Sequence, residues 1–147
     1  MRHVYECPLR WADMDLLGHV NNVTYVDYLQ EARIDMLVAH APVRGGEELG
    51  EGVVVVRTEI EFRHPLVFRP EPVRVETWVT RVRAASFTMA YEIFDEGPDA
   101  ERTVYATART VLTPYVFAEE RPRRISAEEK AVLERFLEPE TAAAASG

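Results

Sequence analysis

Two carboxylates and a group of polar residues lie close together near the start of the chain. Asp13 and Asp15 stand two residues apart after a strand-like stretch, and Gly18 follows them. Three polar residues then precede an apolar helical pattern: His19, Asn21 and Asn22. A helix N-terminus presents unpaired N–H groups and a partial positive charge, which can stabilise an oxyanion. A carboxylate beside such a site can act as general base or as nucleophile, so the pattern indicates ester or thioester hydrolysis.

The same residue types also have a purely structural explanation. Asp, Gly and Asn are the commonest residues of turns and helix caps. Gly18 allows a backbone conformation that is closed to other residues, and either Asn21 or Asn22 can serve as the N-cap. A single histidine such as His19 either orients a substrate or simply packs in the core. From residue types alone, both explanations stay open.

Other catalytic motifs do not occur in the sequence. There is no Gly-rich phosphate loop, no Cys/His metal cluster and no G-x-S-x-G motif. Cys7 is the only cysteine, so it cannot form a disulfide within the chain, and we expect it to be a packed thiol in a strand. We therefore expect no metal and no redox cofactor.

The elements that must position these residues are one long helix and several strands. Apolar side chains at spacings of three and four predict a wide, buried helix face that consists of Tyr25, Tyr28, Leu29, Ala32, Met36 and Ala39. Pro42 and Gly45–Gly46 are expected to end this helix. Strands are predicted at residues 3–11, 56–63, 73–82, 87–94 and 103–113, with Pro114 ending the last. A short helix is predicted from Ser126 to Leu137, with Ser126 and Glu129 spaced as a capping box.

Short turns between consecutive strands favour antiparallel pairing. We expect an α+β fold in which a sheet of about five strands wraps around the long helix. In the strand at 56–63, Val56, Thr58, Ile60 and Phe62 are expected to face inward. Residues 1–138 should form a single domain, and the Ala-rich stretch 139–147 should be disordered.

Composition and charge exclude several classes of protein. The 147 residues carry 17 Lys+Arg against 25 Asp+Glu, a net charge of −8, which argues against nucleic-acid binding. The longest apolar run lies near Val53–Val56, far short of the roughly 20 residues of a membrane span. The N-terminus shows no apolar signal region, so we expect a cytoplasmic protein.

One long motif resembles a known family. The pattern D-x-D-x-x-G-H-V-N-N-x-x-Y-x-x-Y-x-x-E-A-R, from Asp13 to Arg33, resembles that of hotdog-fold acyl-CoA thioesterases of the 4-hydroxybenzoyl-CoA thioesterase type. The similarity covers most of the chain and includes R-x-R-x-x-S-F at Arg81–Phe87. The resemblance implies the hotdog fold and hydrolysis of acyl-CoA to free CoA and a carboxylic acid, without a cofactor.

The resemblance also implies roles for individual residues. Asp15 corresponds to the catalytic carboxylate, whereas Asp13 corresponds to a position that is more often structural. The oxyanion donor corresponds to a backbone N–H at about Asn22, with Gly18 and His19 beside it as further oxyanion or substrate-orienting positions. The turn implied to bind CoA consists of Arg81, Arg83 and Ser86.

Glu31 is a second candidate carboxylate, because another branch of the superfamily uses an acid from the long helix. Asp27, Glu31 and Asp35 stand four residues apart, and like charges at this spacing are mildly destabilising. A solvated or interface-facing stripe is the simpler interpretation, so Glu31 is kept as the alternative to Asp15.

Two other functions stay open on the same fold. One is a non-catalytic module that binds acyl-CoA or acyl-carrier protein; the other is a hydratase or dehydratase, disfavoured because those hotdog enzymes usually place their His or Asp differently. The surplus aromatics Tyr25 and Tyr28 and the exposed sheet edges predict a homodimer or homotetramer. The resemblance implies active sites shared between subunits. A monomer, with these aromatics packed under Ser126–Leu137, is the alternative.

Overall fold

The computed structural model describes residues 1–40 and 52–140, which form six strands, two α-helices and two short 3₁₀ helices. The elements are β1 (His3–Cys7), α1 (Asn22–His40), β2 (Val53–Phe62), β3 (Val73–Val82), β4 (Phe87–Glu96), β5 (Arg102–Val116), β6 (Arg121–Pro122) and α2 (Ala127–Arg135). The 3₁₀ helices span Trp11–Asp13 and Phe117–Glu119. The expected helix stop at Pro42 and Gly45–Gly46, and residues 141–147 of the Ala-rich stretch, lie outside the described residues.

The strands form one antiparallel sheet in the order β1-β3-β4-β5-β2, and β6 adds to β5. Helix α1 packs on the inner face of this sheet, against β1 and β3. The predicted α+β hotdog arrangement is therefore confirmed. The two-residue strand β6 was not predicted, because so short a segment has no periodicity to detect.

The buried face of α1 matches the predicted face except at its last position. Tyr25, Tyr28, Leu29, Ala32 and Met36 are buried. Ala39, also predicted to be buried, is exposed. Leu37 is buried instead, because the 3.6-residue period moves the buried stripe around the helix by the fourth turn.

Several strand boundaries differ from the prediction, among them the start of β2 at Val53 and the end of β4 at Glu96, and two of the differences fall at prolines. Strand β1 ends at Cys7 instead of reaching residue 11, because Pro8 follows and residues from Trp11 form a 3₁₀ helix. Strand β5 runs through Pro114 to Val116. It continues because the Tyr115 N–H bonds to the Gly52 carbonyl on one side (2.6 Å), while the Pro114 carbonyl accepts from Arg123 on the other (2.9 Å).

Strand β2 is paired on one side only and is poorly covered. Thr58, Ile60 and Phe62 lie opposite Thr110, Ala108 and Ala106, residues that are themselves buried, so they face inward as predicted. Val56 is unpaired at a bulge between Val55 and Arg57. Phe62 remains 50% exposed. Within the described residues, β2 pairs with β5 alone, so its outer edge and part of its inner face are open.

The C-terminal helix and the cysteine agree with expectation. The Ser126 side chain accepts from the Glu129 N–H (3.1 Å), and the Glu129 carboxylate accepts from the Ser126 N–H (2.8 Å), which completes the capping box. Cys7 is buried, and burial raises the pKa of its thiol to about 12, so the thiol stays protonated at neutral pH. None of the helices in the described residues has the length and apolarity to cross a membrane.

Candidate active site

The loop between β1 and α1 folds into a short antiparallel hairpin at residues 14–20 that contains Asp15; we call this hairpin the ribbon. Met14 and Val20 form an antiparallel bridge, and the Asp15 N–H donates to the His19 carbonyl (2.8 Å). The chain reverses at Gly18, whose φ of 78° favours glycine. An added Cβ at Gly18 would meet no atom within 4 Å, so backbone conformation and not space makes glycine the preferred residue here.

Asp13 is buried next to this ribbon, and both oxygens of its carboxylate accept hydrogen bonds. It is only 1% exposed. Its carboxylate accepts from the Arg10 N–H and Nε (3.0 Å each) and from the Tyr28 hydroxyl (2.7 Å). Burial alone would raise the pKa of Asp13, but the hydrogen bonds from Tyr28 and Arg10 outweigh it and hold that pKa below its usual value. Asp13 thus joins the loop to α1 and has no oxygen left for a substrate.

Asp15 is half-buried and has an open oxygen. Its Oδ1 accepts from the Leu17 N–H (2.9 Å), which orients the carboxylate. Within the described residues, no donor reaches its Oδ2. A carboxylate held by one oxygen and open at the other can take a proton from a water molecule or attack a carbonyl carbon.

The N-terminus of α1 adjoins the ribbon. Asn21, and not Asn22, is the cap: its side chain accepts from the Val23 N–H (2.9 Å) and its carbonyl from the Thr24 N–H (2.9 Å). The exposed Asn22 N–H has no hydrogen-bond acceptor among the described residues. It carries the partial positive charge of the helix terminus and is free to bind an oxyanion.

The ribbon is fixed to the sheet through the segment after β2. Backbone pairing joins His19 to Val67, and the Val20 N–H donates to the Leu66 carbonyl (2.8 Å). The His19 side chain is half-buried and has no hydrogen-bonding partner among the described residues. Its backbone therefore positions the ribbon, while its ring stays available to a ligand.

Glu31 lies away from this group. It is exposed on α1, nine residues after Asn22, which corresponds to about 13 Å along the helix axis. Asp27 and Asp35 are exposed on the same side, and Asp35 pairs with His3 (2.7 Å). The structure does not bring Glu31 beside Asp15.

The turn between β3 and β4 carries unpaired positive charge. The Arg83 N–H donates to the Ser86 carbonyl (2.8 Å) and closes the turn. Arg81 and Arg83 are exposed, and Ser86 is half-buried. No carboxylate of the described residues lies within 4 Å of either guanidinium.

Arg124 joins this turn and was missed from the sequence. The Ile125 N–H donates to the Ala84 carbonyl (2.9 Å), which brings residues 123–125 alongside the turn. Arg123 pairs with Glu129 (2.7 Å), whereas Arg124 is exposed and has no carboxylate partner in the described part of the chain. The basic run R-P-R-R at 121–124 was the signal that could have identified it. We name Arg81, Arg83, Ser86 and Arg124 the basic turn.

The ribbon and the basic turn lie at opposite ends of β2. The Tyr25 ring, near the start of α1, contacts Phe62 at one end of the strand (centroids 5.1 Å apart). Phe87, just after the turn, pairs with Leu112, which lies opposite Val55 near the other end. At about 3.3 Å per residue these ends are about 20 Å apart.

No group of three or more His, Cys, Asp or Glu side chains suited to a metal ion occurs among residues 1–40 and 52–140.

Residues 9–136 match the family model of the thioesterase-like superfamily. A search of the curated proteins returned no match.

Solved structures agree with the family match. A putative acyl-CoA thioesterase from Xanthomonas campestris is 30% identical, with 76% of this chain and 90% of that chain covered and a TM-score of 0.63. A predicted thioesterase from Bacillus stearothermophilus is 20% identical (96% and 100% covered, TM-score 0.80). A mutant 4-hydroxybenzoyl-CoA thioesterase, complexed with 4-hydroxybenzoyl-CoA, is 14% identical (90% and 98% covered, TM-score 0.78). The last two similarities concern the fold alone.

Proposed function

The chain belongs to the thioesterase-like superfamily, and on this premise we propose that it hydrolyses acyl-CoA thioesters to free CoA and a carboxylic acid. The observation that carries the proposal is the ribbon, because the open Oδ2 of Asp15 lies in the loop that leads into α1 and the free Asn22 N–H begins that helix. A nearby carboxylate and an oxyanion donor are the two groups that thioester hydrolysis requires.

In the proposed mechanism, Asp15 takes a proton from a water molecule as the water oxygen attacks the thioester carbonyl carbon. The negative charge that develops on the carbonyl oxygen is stabilised by the Asn22 N–H at the start of α1. The tetrahedral intermediate then expels the CoA thiolate, which takes the proton from Asp15. In the alternative route, Asp15 attacks the carbonyl carbon itself and water opens the resulting anhydride.

CoA is the proposed carrier because of the charge of the basic turn. The chain is acidic overall, yet Arg81, Arg83 and Arg124 have no carboxylate partner within the described residues. Unpaired guanidinium groups beside a turn suit the phosphates of CoA. The 30% identical putative acyl-CoA thioesterase supports the same carrier.

A homodimer is the proposed active unit, because one chain holds the two halves of the site far apart. Antiparallel pairing of the open β2 edges of two copies would place the Phe62 end of one strand beside the Val53 end of the other. The ribbon of each subunit would then lie near the basic turn of its partner. The same pairing would also cover the exposed apolar side chains of β2.

The proposal is tested by following thiol release from a panel of aryl, short-chain and long-chain acyl-CoAs. Asp15→Asn keeps the size of the side chain but removes the base, so kcat should fall by at least about 100-fold. Asp27→Asn, an exposed aspartate on α1, is the matched control and should retain activity. An Asp15→Asn variant with near-normal kcat would contradict the assignment, and acyl-CoA binding without thiol release would favour the non-catalytic module.

A further inference from the structure

Three arginines from three different strands meet on the outer face of the sheet. Arg57 of β2, Arg81 of β3 and Arg109 of β5 line one cavity of about 460 Å³. The strand register explains this grouping. Arg81 pairs with Thr88, Thr88 with Val111, and Val111 with Arg57 in a single row across the sheet, and Arg109 lies two residues before Val111 on the same face of β5. Nothing in the local sequence around any one of these residues indicates the cluster.

Hydroxyl groups complete the lining of this cavity, which we call the outer pocket. Thr80 and Thr88 line it beside Arg81. Arg81 is exposed and has no carboxylate within 4 Å in the described residues. The Thr80 hydroxyl donates to the Thr88 carbonyl (3.5 Å), so the guanidinium groups and the Thr88 hydroxyl are the donors of this concave site, and they favour an anion with several acceptor oxygens.

Two carboxylates also reach the outer pocket. Glu59 pairs with Arg57, and Glu140 pairs with Arg109 through its Nε (2.5 Å). Glu140 is brought there by the segment after α2, because the Glu138 N–H donates to the Val79 carbonyl of β3 (2.7 Å) and Glu140 extends from there to β5. With three arginines and two carboxylates, the pocket keeps an excess of one positive charge.

We propose that the outer pocket binds phosphate groups of a nucleotide, and that the Glu140 carboxylate competes with phosphate for Arg109. Ion pairs on a protein surface contribute little to stability, so a phosphate dianion can replace the Glu140 carboxylate on Arg109. Arg81 offers a guanidinium that needs no such exchange. The outer pocket therefore takes an anion more highly charged than a carboxylate.

The choice of the CoA nucleotide as the ligand rests on the proposed function. Arg81, near the end of β3, belongs to both the outer pocket and the basic turn, so the two adjoin. CoA carries a diphosphate and a separate 3′-phosphate, which requires more than one cationic site. The outer pocket supplies one through Arg57 and Arg109, the basic turn supplies a second through Arg83 and Arg124, and Arg81 is shared by both.

The test is calorimetric titration of the full chain with adenosine 3′,5′-bisphosphate, with inorganic pyrophosphate and adenosine as comparison ligands. Arg57→Ala and Arg109→Ala should each weaken binding of the bisphosphate about five- to tenfold, and Glu140→Gln should tighten it about threefold. Arg74→Ala is the matched control, since Arg74 is an exposed arginine of β3 that pairs with Glu96 (3.4 Å) outside the pocket. Circular dichroism checks that each variant is folded.

Binding that is unchanged in Arg57→Ala and Arg109→Ala would overturn the proposal, as would weaker binding in Glu140→Gln. Equal affinity for adenosine would show that phosphate is not recognised, and equal affinity for pyrophosphate would assign the pocket to free phosphates instead of a nucleotide. The titration contains no thioester. A failure of the outer-pocket proposal would therefore be seen in the titration, whereas a failure of the proposed hydrolysis would be seen only in the thiol-release assay.

Discussion

At the scale of single residues, two aspartates that are equivalent in composition differ in what surrounds them. Both carboxylate oxygens of Asp13 accept hydrogen bonds from Arg10 or Tyr28. In Asp15, one oxygen accepts from the Leu17 N–H and the other has no donor among the described residues. An aspartate saturated by donors stabilises structure, and one that is partly open can react. Burial and hydrogen bonding therefore separate two roles that the D-x-D spacing leaves together.

Asp13→Asn should reduce stability and leave the chemistry of Asp15 in place. Removing the charge from a buried carboxylate with three donors should lower the free energy of unfolding by at least about 2 kcal/mol at neutral pH. Tyr28→Phe removes one donor only and should cost about 1 kcal/mol. Urea denaturation measures both, and a fall in kcat at Asp13→Asn larger than that at Asp15→Asn would reverse the two roles.

The contribution of the Asp13 carboxylate to the free energy of unfolding should fall as the pH is lowered. The pKa of Asp13 is lower in the folded protein than in the unfolded chain, so its stabilisation is complete above the unfolded pKa of about 4 and is lost as pH falls through the folded value. The difference in stability between wild type and Asp13→Asn should therefore be largest near neutral pH and shrink below about pH 4. A difference that grows on acidification would contradict the account.

At the scale of elements, the basic turn depends on two segments that are distant in sequence. The turn closes through Arg83 and Ser86, and Arg124 reaches it only because Ile125 hydrogen-bonds to Ala84. Together the two segments place positive charge where the phosphorylated end of CoA is proposed to bind. The proposed site of hydrolysis lies elsewhere, at the ribbon.

Arg83→Ala/Arg124→Ala should therefore raise KM for acyl-CoA by about tenfold or more, because charge-assisted contacts to phosphate are lost. Cleavage of the matching N-acetylcysteamine thioester, which has no phosphate, should change little. Arg121→Ala is the control, since Arg121 belongs to the same basic run but pairs with Glu119 (2.5 Å). Equal losses with both substrates would show that the basic turn is not a phosphate site.

At the scale of the whole molecule, a homodimer would account for two features of the chain. These are the open edge of β2 and the separation of the ribbon from the basic turn. A two-fold axis beside β2 would pair the edges and unite complementary halves of two sites. Helix α1 agrees with such an assembly, because it is also apolar on its outer side, at Val23, Val26, Ile34 and Val38, all exposed.

Mixing two variants with different defects tests this assembly, because one lacks the proposed base and the other binds acyl-CoA weakly. Asp15→Asn and Arg83→Ala/Arg124→Ala, unfolded and refolded together, should form heterodimers as about half of all dimers, each with one intact site. About a quarter of wild-type sites should then be regained at low acyl-CoA concentration. No gain above the unmixed variants, or full activity in a species that sediments as a monomer, would place each site within a single chain.

The local features of this protein could be predicted from its sequence. The D-x-D loop, the buried face of α1 and the capping box at Ser126 depend on residues within a few positions of one another, where periodicity and backbone hydrogen bonding act. Three other features are visible only in the folded chain: Asp13 and not Asp15 has both oxygens occupied, Arg124 lies beside the turn, and three arginines share one pocket (Arg57, Arg81 and Arg109). Those features depend on strand register and on which side chains approach from distant segments, and no short-range pattern encodes them. Strand β5 shows the same limit, because pairing on both sides carries it through Pro114, a residue that by local preference ends a strand.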